Sequence, residues 1–166
     1  IKDQIELVRN LFDRHGRVWV SKPNKIGKRQ VECYLNDSFR FLLNKEIPKG
    51  LLKNKKAFLA FLAGFTDAEG CISFNKNAAY YSLYNQDKEI LEYIIDKLKL
   101  YNIASTRLCL GSKSGRSIYD NNKVYFTNKD YWGFRIHNKK DLYRLLISLE
   151  PYIKHNKKVK NLKLAK

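Results

Sequence analysis

Residues 58–70 constrain the fold of this chain more than any other stretch. Phe58-Leu59-Ala60-Phe61-Leu62-Ala63-Gly64-Phe65 is an apolar run, and it leads through Thr66 into two acids, Asp67 and Glu69, closed by Gly70. An apolar run that ends in glycine is also what an ordinary buried helix with a glycine C-cap looks like. Small residues at Ala60, Ala63 and Gly64 point further, because they let a second helix backbone come very close. The acids sit where such a helix would stop. Two helices of this kind, packed tightly and each ending in a carboxylate, would bring metal-binding acids together at one point.

The charge of the chain narrows what those acids are for. Among 166 residues, Lys and Arg number 33 against 16 Asp and Glu, a formal charge of +17, and the pI is about 9.8. A domain this basic fits a nucleic-acid partner, since neutralising phosphates releases counterions. A membrane surface is the competing reading of such charge, but the apolar run at 57–65 is far too short to span a bilayer. No signal peptide is visible. Hydrophobic residues make up 44% and aromatics 13%, enough for a packed core rather than a disordered chain. Cys33, Cys71 and Cys109 are odd in number and widely spaced, which fits neither a disulfide framework nor a zinc site. Reduced thiols in an intracellular compartment are expected. His15, His137 and His155 form no metal-ligand pattern. The chain begins at Ile1 and contains no Met, so a missing upstream segment is expected. The abundance of Lys, Asn, Tyr, Ile and Leu fits an AT-rich gene, as in a mitochondrial or chloroplast genome.

Hydrophobic periodicity orders the rest. Ile90, Leu91, Ile94, Ile95 and Leu98 recur at helical spacing after Asp87, an N-cap residue. Before them, Ile72 and Phe74 alternate with Cys71, Ser73 and Asn75, and 79–85 is tyrosine-rich and β-prone. Asn75-Lys76-Asn77-Ala78 reads as a hairpin turn between them. Thr106, Leu108 and Leu110 alternate with Arg107, Cys109 and Gly111. A polar stretch with Gly111, Gly115, Asn121 and Asn122 follows. Trp132, Phe134 and Ile136 then alternate with Gly133, Arg135 and His137. Leu142, Leu145, Leu146 and Leu149 return to helical spacing before Pro151, and a basic helix is expected from about 156. From residue 57 the order is helix, two strands, helix, two strands, helix. Strands with one polar face give a sheet backed by a core on one side and open on the other. The first 50 residues read as half of the same pattern. Ile5, Leu7, Val8, Leu11 and Phe12 suit a helix, Val18 to Val20 and Val31 to Leu35 suit strands, and Phe39 to Leu43 suits a helix ending at Ile47-Pro48.

The motif Leu62–Gly70, Leu-Ala-Gly-Phe-Thr-Asp-Ala-Glu-Gly, resembles the signature of the LAGLIDADG homing endonucleases, and Cys-Ile-Ser-Phe after it is also similar to the family. The resemblance implies an α+β fold: an αββαββα unit over 51–166 whose antiparallel saddle-shaped sheet binds DNA, preceded by a partial repeat, αββα, over 1–50. It implies site-specific, Mg²⁺-dependent hydrolysis of both strands of double-stranded DNA by an intron-encoded enzyme. Glu69 would carry the metal and the catalysis, with the backbone carbonyl of Ala68 as a further ligand. Asp67 would serve the helix end, with a lesser catalytic claim. Asn85 would take the place of a polar residue that positions solvent, and Lys157 that of a lysine beyond the last proline. One Glu69 is half an active site. A second motif helix must come from a homodimer mate or a missing upstream segment and pack on Ala60, Ala63 and Gly64.

Strand alternation assigns the DNA-facing side chains to Cys71, Ser73, Asn75, Asn77, Tyr80, Ser82, Tyr84, Arg107, Cys109, Arg135 and His137. Ile72, Phe74, Leu108, Trp132 and Phe134 point the other way. A two-stranded ribbon fits the major groove, where Ser, Asn and Arg can read base edges. Lys113, Arg116, Lys123 and Lys129 add phosphate contacts. Two further readings share the resemblance: an RNA maturase that helps an intron RNA fold and splice, and a non-cleaving DNA-binding relative. An intein is not expected, because no splicing segment is visible.

Overall fold

The structure, a computed structural model, describes residues 2–43, 46–75, 78–120 and 123–165. It forms two compact units, Ile1–Pro48 and Lys49–Lys166. Asn77, one of the expected DNA contacts, lies outside the described residues.

The smaller unit runs helix α1 (Lys2–Phe12), strands β1 (Gly16–Val20) and β2 (Val31–Leu35), then a 3-10 helix, Asp37–Leu43. The strands form an antiparallel hairpin with Val18 opposite Cys33. Its loop is held by Asn24, whose Oδ1 accepts from the N–H groups of Ile26 (3.1 Å) and Lys28 (2.8 Å). Gly27 takes a left-handed φ of +77° there, a conformation that costs glycine nothing. Asn36 opens the next turn, accepting from Ser38 N–H at 3.1 Å. The sequence predicts a helix at 39–43, and the structure has the tighter 3-10 form, as suits a segment too short to propagate an α-helix.

The larger unit carries the motif. A 3-10 turn (Leu51–Lys53) leads into α2 (Lys55–Ala68), then β3 (Gly70–Asn75), β4 (Ala78–Asn85), α3 (Lys88–Leu100), β5 (Cys109–Ser112), β6 (Ser117–Asp120), β7 (Lys123–Phe126), β8 (Tyr131–Ile136), α4 (Lys139–Leu149) and α5 (Asn156–Ala165). Helices α2, α3 and α4 each start where a side chain can satisfy free N–H groups. Asn54 accepts from Lys56 N–H at 2.8 Å, Asp87 from Ile90 N–H at 3.2 Å, and Asn138 from Lys140 N–H at 3.0 Å. Four strands form one antiparallel sheet in the order β3-β4-β8-β5. Ile72, Tyr81, Leu83, Phe134 and Ile136 cover one face and pack on Phe58 and Leu62 of α2, Leu91, Ile94 and Leu98 of α3, and Leu145, Leu146 and Leu149 of α4. The αββαββα order is therefore present, in an α+β fold with antiparallel sheets.

Two features differ from the sequence expectation. The polar stretch after β5 contains β6 and β7, a separate two-stranded ribbon in which Ile118 lies opposite Tyr125. Four-residue strands around a polar turn give too little alternation to be read. Phe74, expected in the core, is 46% exposed, because it pairs with Ala79 near the tip of the β3–β4 hairpin, beyond the layer of covering helices.

Helix α5 closes the outer edge of β3. Lys158 Nζ donates to the carbonyl of Gly70, and Asn161 Nδ2 donates to that of Ile72 at 2.9 Å. Those edge carbonyls would otherwise be open to pairing with another chain. The segment entering α5 is tied to α2 by Asp67, whose Oδ2 accepts from the N–H groups of Lys154 (2.7 Å) and His155 (3.2 Å). Replacing Asp67 with Ala strands both donors. Asp67→Ala is expected to lower unfolding free energy by about 1–3 kcal/mol in urea titrations, and Asp67→Asn by less, since one acceptor oxygen remains. Equal stability for Asp67→Ala and the unmodified protein would remove this tether from the account.

Candidate nucleic-acid interface and motif-helix end

The two sides of α2 are chemically different. Phe58, Leu59, Leu62, Ala63 and Thr66 are buried against the unit's own core. Ala60, Gly64 and Ala68 are exposed and recur every four residues, so they share one face. A side chain built on Gly64 would meet nothing within 4 Å. Phe61 and Phe65, half-buried, stack beside this stripe with ring centroids 6.0 Å apart and planes 14° from parallel.

The helix ends sharply. The N–H of Glu69 donates back to the carbonyls of Phe65 and Thr66, and Gly70 begins β3. A Cβ on Gly70 would stand 2.8 Å from both Cα and Cγ2 of Thr66, so only glycine allows strand and helix to meet so closely. Thr66 is locked in turn. Its hydroxyl donates to the Leu62 carbonyl at 2.7 Å and shares a hydrogen bond with the buried Tyr81 hydroxyl at 2.9 Å. Glu69 itself is exposed. Its carboxylate has no hydrogen-bond or ion-pair partner among the described residues. Partial burial, and then the charge of Glu69, hold the Tyr131 phenol above the usual tyrosine range, so the acid lies within electrostatic reach of the open sheet face.

On that face the register lines up Cys71, Ser82 and Arg135 across three strands, Ser73 with Tyr80, and Tyr84 with Gly133 and Cys109. Cys71 Sγ and Ser73 Oγ are 2.8 Å apart. The Arg135 guanidinium lies between two tyrosines: its Nε donates to the Tyr84 hydroxyl at 3.1 Å, and its carbon is 5.8 Å from the Tyr80 ring centre. Tyr84 stacks on Tyr131 at 5.8 Å and lies across Gly133, where a Cβ would be 2.1 Å from its ring. Arg107, Cys109, Arg116 and Arg135 converge with Tyr84 and Tyr131 on an open cleft of 780 Å³. Arg116 is set there by the base of the β6–β7 ribbon, where its carbonyl accepts from Thr127 N–H at 3.0 Å.

The family profile of the LAGLIDADG-like domain matches residues 57–159. The chain belongs to this LAGLIDADG-like family. A relative in Methanocaldococcus jannaschii, the uncharacterized protein MJ0398, is 28% identical over 162 residues, 94% of this chain and 57% of that protein. The chain thus spans little more than half the length of this relative. Among solved structures, the homing endonuclease I-WcaI bound to its DNA recognition sequence superposes with a TM-score of 0.57 at 19% identity, covering 96% of this chain and 71% of that one. The N-terminal LAGLIDADG domain of DUF199/WhiA gives 0.52 at 16% identity, covering 95% and 69%. At these identities the likeness is one of fold.

Within the LAGLIDADG-like unit, the structure brings together some of the residues expected from sequence and separates others. Glu69 and the exposed Ala68 stand at the free end of the motif helix. Cys71, Ser73, Tyr80, Tyr84, Arg107, Cys109, Arg116 and Arg135 share the open face or its cleft, whereas Ser82, of the same parity, is buried between its neighbouring strands at 7% exposure. Asn75 is exposed at the hairpin tip. Four expectations change, while a fifth residue, Asp67, takes the helix-end role expected of it. Ala63 is fully buried in its own core rather than on the helix-pairing face, because three residues of helix carry it away from Ala60 while four would return to the stripe. Asn85 has the strand parity of Tyr81 and Leu83, opposite to Tyr84, and its Oδ1 accepts from Asp87 N–H at 2.8 Å. It shapes the turn into α3 rather than facing Glu69. Asp67 is engaged with Lys154 and His155. Lys157 is exposed, and it is Lys158 whose amine reaches the motif's end. His137 follows the last residue of β8 and lines a separate, largely apolar pocket with Phe74, Leu142 and Leu164, away from the Arg135 cleft. Sequence reasoning did not single out Tyr131, Gly133 or Lys158. The two-residue step from Arg135 back to Gly133 and Tyr131 was the available signal for the first two. Among the described residues, no group of three or more His, Cys, Asp or Glu is placed to hold a metal, and no helix is long and apolar enough to cross a membrane.

Two glycine substitutions separate these surfaces. Gly64→Ala is expected to raise the stability of the chain by about 0.5–1 kcal/mol through helix propensity. Gly133→Ala is expected to lower it by about 1–3 kcal/mol, because Tyr84 must leave its seat. Urea denaturation of both variants checks the pair, and a shift of the same sign in both would contradict these environments.

Proposed function

We propose that this chain is a Mg²⁺-dependent, site-specific endonuclease for double-stranded DNA, of the homing type. The observation that carries the reading is the motif helix itself: an exposed stripe of Ala60, Gly64 and Ala68 leading to an exposed Glu69 whose carboxylate has no partner among the described residues. A stripe this smooth admits a second helix at backbone contact, from a second copy of the chain or from another motif-bearing segment. That pairing would set a second carboxylate beside Glu69. The reading of residues 1–50 as a partial repeat belongs to the same proposal, since the αββ order with a closing short helix is the latter half of the larger unit's pattern.

The donors fit a hard divalent cation. Mg²⁺ takes oxygen ligands and is commonly held by one or two carboxylates, with water and substrate phosphate completing the shell. The Glu69 carboxylate, exposed and without an ion-pair partner among the described residues, would supply this chain's share together with the Ala68 carbonyl. Bound there, the cation would activate water and offset charge developing on the scissile phosphate. The rest of the work falls to the protein. The open face would lie in the major groove, where Cys71, Ser73, Tyr80 and Arg135 meet base edges. Arg107 and Arg116, with Lys113 and Lys129, would take the backbone phosphates. Lys158, anchored on the Gly70 carbonyl, holds positive charge beside the motif's end.

The test is incubation of a randomised duplex library with the protein in Mg²⁺ or Ca²⁺, beside the Glu69→Gln variant. Specific double-strand cuts in Mg²⁺, lost at least about 100-fold in Glu69→Gln while duplex binding persists, are expected. Duplex binding without cuts in either metal would replace this reading with a non-cleaving DNA-binding relative. Tight binding to structured intron RNA that is indifferent to Glu69→Gln would replace it with a maturase.

A further inference from the structure

We infer that Arg135 is a specificity-determining residue that reads a guanine in the bound duplex. The inference rests on the DNA reading above and adds which base the centre of the face selects. Three observations converge on this side chain. First, its place is central: β8 is an inner strand of the β3-β4-β8-β5 sheet, and Arg135 lies opposite Ser82, next to Cys71 in the same row. Its neighbours in the row on β3 and β4 are uncharged, whereas Arg107, on the side of β5, lines the same cleft, and Arg116 and Lys113 lie by the ribbon outside the central strands. A sheet laid in a groove meets base edges at its middle and phosphates at its margins.

Second, the guanidinium is held at one end only. Nε donates to the Tyr84 hydroxyl at 3.1 Å, and the flat group sits 5.8 Å from the Tyr80 ring centre and 6.0 Å from that of Tyr84. The two terminal nitrogens make no hydrogen bond among the described residues, and no carboxylate pairs with the charge. What remains exposed is a planar fork of donors, the shape that matches O6 and N7 of guanine. Adenine presents a donor where guanine has O6, so it meets this fork poorly.

Third, the support beneath is rigid. Tyr84 is fixed by lying across Gly133 and stacking on Tyr131. The rotamer freedom an exposed arginine would lose on binding is therefore largely given up in the free protein. Glycine at 133 makes room for Tyr84, Tyr84 holds Arg135, and Arg135 presents the fork.

Selection of bound duplexes from a randomised library, in Ca²⁺ so that no cleavage is required, tests this directly. The unmodified protein is compared with Arg135→Lys, Arg135→Ala and Arg116→Ala, each first checked for an unchanged melting temperature. One guanine should be enriched by the unmodified protein. In both Arg135 variants that position alone should relax, its preference falling roughly 10-fold to 100-fold while the rest of the site is retained. Arg116→Ala should keep the guanine and weaken all sequences alike, with a shallower salt dependence. Tyr84→Phe, which removes only the Nε anchor, should keep the guanine with lower affinity. An enriched site whose bases are all unchanged in the Arg135 variants would overturn the assignment and leave the DNA reading standing. Uniform weakening in those variants would make Arg135 a phosphate contact. Failure of the unmodified protein to retain any duplex would overturn both.

Discussion

The close approach of Gly70 to Thr66 is the constraint on which the rest of the larger unit depends. With only a hydrogen at the α-carbon of residue 70, β3 can leave α2 within one residue of the helix end, directly over its last turn. Thr66 can then bond both the Leu62 carbonyl and the Tyr81 hydroxyl on the neighbouring strand. Helix, turn and sheet are thus locked by one threonine with no room around it. Everything functional is referenced to that lock: Glu69 occupies the single residue between helix and strand, and β3 carries the first row of the open face.

The same geometry explains why two acids two residues apart have different tasks. Successive residues on an α-helix are about 100° apart, so positions 67 and 69 differ by about 200°. They cannot both face one point. Asp67 is turned towards the tail, where it accepts from the backbone of Lys154 and His155. Glu69 is turned away from the fold's own contacts. Both of those N–H groups bond Oδ2, and Oδ1 is buried, so this carboxylate is poorly placed to give oxygens to a cation at the exposed helix end. The division of labour therefore follows from helix phase, and the tail that Asp67 secures is the one that delivers Lys158 to Gly70 and Asn161 to Ile72.

How much of this was legible in the sequence depended on whether the information was local. The αββαββα order, the Asp87 cap and the parity of Cys71, Ser73, Tyr80, Ser82, Tyr84 and Arg135 all follow from short-range periodicity, and the structure has them. Ala63 was misplaced because a list of small residues does not say which side of the helix each takes; burial of Leu59 and Leu62 beside it settles the phase. Phe74 was misplaced because parity says which way a side chain points but not whether anything covers it there. The ribbon of β6 and β7 was hidden by strand length. Lys158 could not be found from spacing after Pro151, because its position is set by tail contacts 88 residues apart in the chain.

The distribution of charge separates a recognition face from a merely basic surface. A solvated lysine face needs no particular neighbours. Arg135 combines two aromatic rings with a hydroxyl that holds its Nε, and no acid among the described residues pairs with its charge. Holding an exposed arginine in one orientation costs rotamer freedom, offset only in part by attraction to the two ring faces. Stacking Tyr84 on Tyr131 over a glycine adds a second cost, since glycine within a strand weakens it. Neither arrangement serves the core, which lies on the opposite face of the sheet. Local features that work against folding persist when something outside the fold compensates for them. A bound partner that supplies acceptors to the free fork of Arg135 is the compensation that the chemistry of this face allows.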